Sequence, residues 1–114
     1  MNLNRAFPID SNGHPVPCSQ STGLVPLASA PKSIVAGGAV LVDCLLYTDG
    51  TNDATLTIYD SPNAANGIEL CQVIVKGAEL WGGEVNIMCQ AAFGLYMTLT
   101  GNGSKALVRH MPAT

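Results

Sequence analysis

The 114-residue chain predicts an all-β fold: a single β-sandwich or small antiparallel barrel with an extended, Pro-rich N-terminal arm. Three observations carry that expectation. From Ser33 onward, short apolar runs alternate with period two, the pattern of strands with one buried face. Clusters of Gly, Asn, Asp and Ser separate these runs at sandwich-like spacing. Before Lys32, Pro8, Pro15, Pro17, Pro26 and Pro31 remove backbone donors and fix φ, which forbids a regular helix and discourages a central strand. Finally, 11% of residues are charged against 47% apolar. Soluble domains carry about 25% charge, so much of this surface is expected to lie against another molecule.

The predicted organisation is an arm over residues 1–32 and a β-domain over residues 33–114. The arm carries Phe7, Ile9, Val16, Leu24, Val25 and Leu27, too many apolar residues for a solvated linker. It is expected to lie across another surface. Residues 39–47 read as a strand whose inward face is Val40, Val42, Cys44 and Leu46, with Asp43 interrupting the other face. The turn formers of residues 48–53 lead into residues 54–59, where Leu56 and Ile58 point inward, and the two strands are expected to pair as a hairpin. A second loop, residues 61–67, ends in Gly67 before a strand with Cys71, Val73 and Val75 on one face. After a connection over residues 76–84, Val85, Ile87 and Cys89 alternate, and Leu95, Met97 and Leu99 follow Gly94. Residues 101–104 then turn the chain into a last strand, residues 105–110, as a second expected hairpin. The predicted core is Val42, Cys44, Leu56, Ile58, Val73, Val85, Ile87, Leu95, Met97 and Leu99.

A net charge of −3 and scattered Lys32, Lys76, Lys105, Arg5 and Arg109 offer no field for a phosphate backbone, so no nucleic-acid partner is expected. The N-terminus lacks a secretory pattern, and no apolar run approaches the ~20 residues of a membrane helix. The expectation is a cytosolic product with no membrane partner and reduced thiols. Cys18, Cys44, Cys71 and Cys89 contain no C-x-x-C pair, and His14 and His110 lie away from finger-like spacing, so neither metal nor cofactor is expected. Three of the cysteines fall on apolar faces and read as inert core thiols. Cys18, in the arm, is a candidate for a bond between subunits.

Candidate chemistry has simpler explanations. Asp49, Asp53 and Asp60 superficially match a calcium loop, but the twelve-residue ligand pattern is missing, and turn formation accounts for them. Glu69, Glu79 and Glu84 read as surface. No nucleophile elbow is present. Gly37-Gly38 and Gly82-Gly83 lack the context of a phosphate cradle and read as bends. No enzyme is expected. Trp81, the only tryptophan, caps the end of the sandwich or marks an interface or a sugar-stacking platform.

Two stretches, Tyr47-Thr48-Asp49-Gly50-Thr51-Asn52-Asp53-Ala54-Thr55-Leu56-Thr57-Ile58-Tyr59-Asp60 and Gly94-Leu95-Tyr96-Met97-Thr98-Leu99-Thr100-Gly101-Asn102-Gly103-Ser104, resemble small β-rich virion proteins of tailed bacteriophages, most of all capsid decoration (cement) proteins. That resemblance implies a homotrimeric knob on the capsid exterior, made in the host cytoplasm, with an arm over subunits of the major capsid protein. It carries no site residues. Together with the composition, it marks Phe7, Ile9, Val16, Cys18, Leu24, Val25, Leu27 and Trp81 as candidate interface residues. The alternatives are a tail, connector or head-fibre component, or a carbohydrate-binding β-module stacking sugars on Trp81, Tyr47, Tyr59 or Tyr96.

Overall fold

The computed structural model describes residues 20–79 and 82–112 as an all-β sandwich of two antiparallel sheets. The strands are β1 (Gln20–Ser21), β2 (Val25–Pro26), β3 (Lys32–Ala36), β4 (Ala39–Tyr47), β5 (Ala54–Asp60), β6 (Ile68–Val75), β7 (Gly82–Ala91), β8 (Gly94–Thr100) and β9 (Lys105–Pro112). One sheet runs β1-β9-β4-β7, with β2 also pairing β9, and the other runs β3-β8-β5-β6.

The registers share one origin. Outward from the turn between β5 and β6, Ile68 faces Asp60 and Val75 faces Ala54, then Gly82 faces Tyr47 and Ala91 faces Ala39. Met97 then faces Lys32, Ala106 faces Val25 and His110 faces Gln20. The chain is therefore one long antiparallel hairpin, folded at residues 61–67 and rolled into two sheets. This is the winding of a jelly roll, with β1 and β2 as two pieces of its first strand.

Both expected hairpins are corrected by this topology. β4 pairs with β7 and β9, while β5 pairs with β6 and β8, so residues 48–53 carry the chain from one sheet to the other. The same holds between β8 and β9. Turn residues reverse a chain equally well within a sheet or across a core. Period-two alternation gives the buried face of each strand but not its neighbour. The hairpin that does form within a sheet joins β5 to β6.

The core lies between the sheets and contains Leu41, Cys44, Leu46, Leu56, Ile58, Val73, Leu95, Met97, Leu99 and Val108. Seven of the ten predicted core residues are buried, and Val85 and Ile87 pack against the cluster while half-exposed. Val42 is the exception. A bulge between Leu41 and Asp43, present against both β7 and β9, switches the phase of β4. Side chains point inward at Ala39 and Leu41 before it and at Cys44 and Leu46 after it, so the expected inward face at Val40 and Val42 is corrected.

At the bulge, Asp43 lies on the outer face, opposite Cys44, yet is only 5% exposed. Arg109 of β9 covers it with a two-pronged contact, Nε donating to Oδ1 at 2.6 Å and the second prong reaching Oδ2. On the other side Asn86 of β7, with its amide nitrogen turned to the carboxylates, donates to Asp43 Oδ2 at 3.3 Å and Glu84 Oε1 at 3.1 Å. The hydrogen bond to Asp43, followed by its charge, raises the Arg109 pKa.

The sandwich begins before the expected boundary at Lys32. β1 and β2 pair with β9, and Val25 is 3% exposed within the core. Pro26 is tolerated because it lies on an outer strand of its sheet, where a missing donor is least costly.

Gly94 opens β8 with φ +153°, and a Cβ there would sit 2.8 Å from Pro62 Cα and 2.9 Å from Ser61 O, besides striking Val35 O. Gly23 also has positive φ, at +69°, but open space around it. Gly94→Ala should therefore lower unfolding free energy by about 3 kcal/mol, and Gly23→Ala by only about 1 kcal/mol. Urea denaturation of the two variants measures the difference, and equal losses would refute the steric account.

Candidate interaction surface

The loops gather at the two ends of the sandwich, and aspartates organise both. At one end, Asp60 closes β5 and accepts three backbone N–H groups from the β7–β8 corner. Ala92 donates to Oδ2 at 3.0 Å, and Phe93 and Gly94 donate to Oδ1 at 2.8 and 3.3 Å. Burial pushes its pKa up, but the three amides outweigh that and hold it below the ordinary carboxylate value. In the neighbouring turn, Ser61 Oγ accepts the Ala64 N–H at 3.2 Å, and Ser33 Oγ donates to Pro62 O at 2.6 Å. This braced end presents Ile68, 69% exposed, and Phe93, 66% exposed.

At the other end, Asp49 Oδ1 accepts the N–H groups of Thr51 and Asn52 at 2.8 and 2.7 Å, and Oδ2 accepts Asn52 Nδ2 at 2.7 Å. These bonds, the Asn52 backbone first, lower its pKa. Asp53 takes the Gly77 N–H at 3.2 Å and pairs with Lys76 Nζ at 3.4 Å. The turn chemistry expected of the three aspartates is displayed by Asp49, whose bonds stay within its own turn; the side-chain bonds of Asp53 and Asp60 instead tie their turns to distant segments. Tyr47, 41% exposed, stands between two shallow grooves. Leu24, Thr48, Asp49, Gly103 and Lys105 line one; Leu45, Gly82, Gly83 and Glu84 line the other. Its ring fits beside Gly82, where a Cβ would come within 3.0 Å of Cδ1.

Of the candidate interface residues, Leu24 is 54% exposed, Val25 belongs to the core and Leu27 is half-buried against it. Burial removes Val25 from any contact surface, a correction that follows from its pairing with Ala106. Phe7, Ile9, Val16, Cys18 and Trp81 lie outside the described residues. Tyr59 and Tyr96 are half-buried partners across β5 and β8, which leaves Tyr47 as the exposed tyrosine. Ile68 and Phe93 went unmarked in the sequence because each borders a turn, where an apolar residue reads as the fringe of a strand.

Cys44 and Cys71 are buried free thiols and Cys89 is half-buried. Among the described residues, no group of three or more His, Cys, Asp and Glu is placed to hold a metal ion, and no helix is long and apolar enough to cross a membrane. Comparison with protein-family models, with curated proteins and with solved structures gives no match.

Acid should destabilise the fold in two steps. His110 is 8% exposed, and burial lowers its pKa. The stability from keeping it neutral is complete above about pH 6.5 and is lost as pH falls through its lower folded value. Asp49 and Asp60 also titrate lower when folded, so their contribution is complete above about pH 4 and is lost below it. Urea midpoints between pH 7 and 3 should show both steps, with the upper one absent in His110→Gln and the lower one reduced in Asp60→Asn. Unchanged profiles would reject these assignments.

Proposed function

We propose that the chain is a non-catalytic structural protein of a tailed-phage virion that decorates the capsid exterior by binding subunits of the major capsid protein. The observation that carries this reading is the exposure of large apolar side chains, Leu24, Ile68, Ile74, Met88 and Phe93, on a chain with only 11% charged residues. Apolar surface of this kind favours a protein partner. Ile68 and Phe93 stand on an end braced by the Asp60 bonds, so little side-chain support has to be ordered on binding. Jelly-roll sandwiches serve in viral capsids, and that analogy of architecture adds to the virion reading without deciding it.

Binding is physical in this proposal. Each copy buries modest apolar surface, the Pro-rich segment before Gln20 extends the contact with Phe7, Ile9 and Val16, and a homotrimer multiplies weak contacts through avidity. The arm test has to spare the strands. A chain lacking residues 1–19 retains β1 and β2 and should fold, yet should no longer co-sediment with capsids that lack the protein. Full occupancy by that truncated chain would reject the arm's role. Cryo-electron microscopy of the particle then decides location, since density confined to the tail would replace decoration with a tail role.

Tyr47 favours a second reading. An exposed ring flanked by polar Asp49, Lys105 and Glu84 in two grooves is a surface on which a sugar ring can stack. A carbohydrate-binding module would show glycan-dependent NMR shifts around Tyr47 that disappear in Tyr47→Ala. No shift across a glycan panel would remove it.

A further inference from the structure

Cys44 lies on β4, an interior strand of the first sheet, and Cys71 on β6, an edge strand of the second. The two strands belong to different sheets, yet the sulfurs meet across the core at 3.5 Å. Cys44 is 0% exposed and Cys71 8%. Inter-sheet disulfides are compatible with sandwiches, as the immunoglobulin fold demonstrates. Bonding here requires the sulfurs to close to about 2.0 Å, a movement that an edge strand is well placed to make.

We propose that Cys44 and Cys71 form a redox latch: a low-molecular-weight disulfide joins their sulfurs into an inter-sheet bond, and a thiol reductant reopens it. The pair loses its first proton from Cys71, whose pKa is lowered by the hydrogen bond from Cys44. Cys44 is held protonated by that same bond and by burial. The Cys71 thiolate attacks one sulfur of the oxidant RSSR, whose S–S bond breaks and releases RS⁻ with the electron pair. Cys44 then yields its proton to the released thiolate as its sulfur attacks Cys71 Sγ, and the second RS⁻ departs, taking a proton from water. Two protein thiols are oxidised to one disulfide, and RSSR is reduced to two thiols, one proton having been released when Cys71 ionised.

The bond would tie residues 27 apart in sequence and clamp the edge strand of one sheet to the middle of the other. Its main effect is to restrict the unfolded chain, which raises the melting temperature by about 10–20 °C. Nothing in the latch depends on what the protein binds.

The test uses the full chain and a Cys18→Ser/Cys89→Ser variant, each fully reduced and then treated with glutathione disulfide. Mass spectrometry under denaturing, non-reducing conditions should show a loss of about 2 Da in the variant, two thiol hydrogens. Cleavage after aspartates and glutamates, which separates Cys71 from Cys89 at Glu79 and Glu84, should leave the Cys44 and Cys71 peptides linked in both proteins. The melting temperature should rise, return on reduction with dithiothreitol, and fail to rise in Cys71→Ser. Persistent free thiols in excess oxidant, linkage of other cysteines in the full chain, or a bond without a rise in melting temperature would each overturn the latch.

Discussion

The structure depends on one antiparallel register, set where β5 turns into β6. From Asp60 opposite Ile68 outward, the ladders of β4 with β7, β3 with β8, and β1 and β2 with β9 continue the same hairpin, while β5–β8 and β4–β9 join its turns side by side. A one-residue slip of β6 on β5 would turn its inward face outward. Residues near this turn are accordingly braced from several sides. Ser61 binds within it, Ser33 reaches it from β3, and Asp60 fastens it to the β7–β8 corner through three amides. A single carboxylate thereby couples the first sheet to the second at the point where register originates.

Far from the turn, the bulge at Asp43 performs a different task. It changes which residues of β4 face inward and leaves a carboxylate under the outer surface, where only Arg109 and Asn86 on the flanking strands can satisfy it. A carboxylate so enclosed is costly without partners, so the three strands are locked in one lateral alignment. Met88, with φ of +52° on the neighbouring strand, sits beside the same irregularity and shows that the distortion extends to β7.

Much of this was legible in the sequence, and the parts that were not share a cause. Alternation identified the strands and the buried positions Leu56, Ile58, Val73, Leu95, Met97 and Leu99, because the period of a strand is a local property. The partners of β4 and β5 were misread because adjacency is decided by the whole winding. Val40 and Val42 were misplaced because strict alternation assumes an unbroken pleat, and the bulge beside Asp43 shifts the phase of β4 by one residue. For the surface, turn chemistry correctly explained Asp49, but only the fold brings residues 92–94 to Asp60 or places Cys71 against Cys44. Both contacts join segments that are distant in the chain.

The rolled hairpin also governs how the molecule can be made. Synthesis starts at the N-terminus, so β5 finds β6 almost at once, whereas β3 must wait for β8 and β1 for β9. Two strands that follow in the chain the ones they separate are interior: β8 separates β3 from β5, and β9 separates β1 and β2 from β4. Neither sheet can close around a gap in its middle, because the strands on either side would leave backbone donors and acceptors unpaired. A nascent chain that stops short of Lys105 therefore lacks the strand around which the first sheet is built, and β4 has only β7 beside it until β9 arrives.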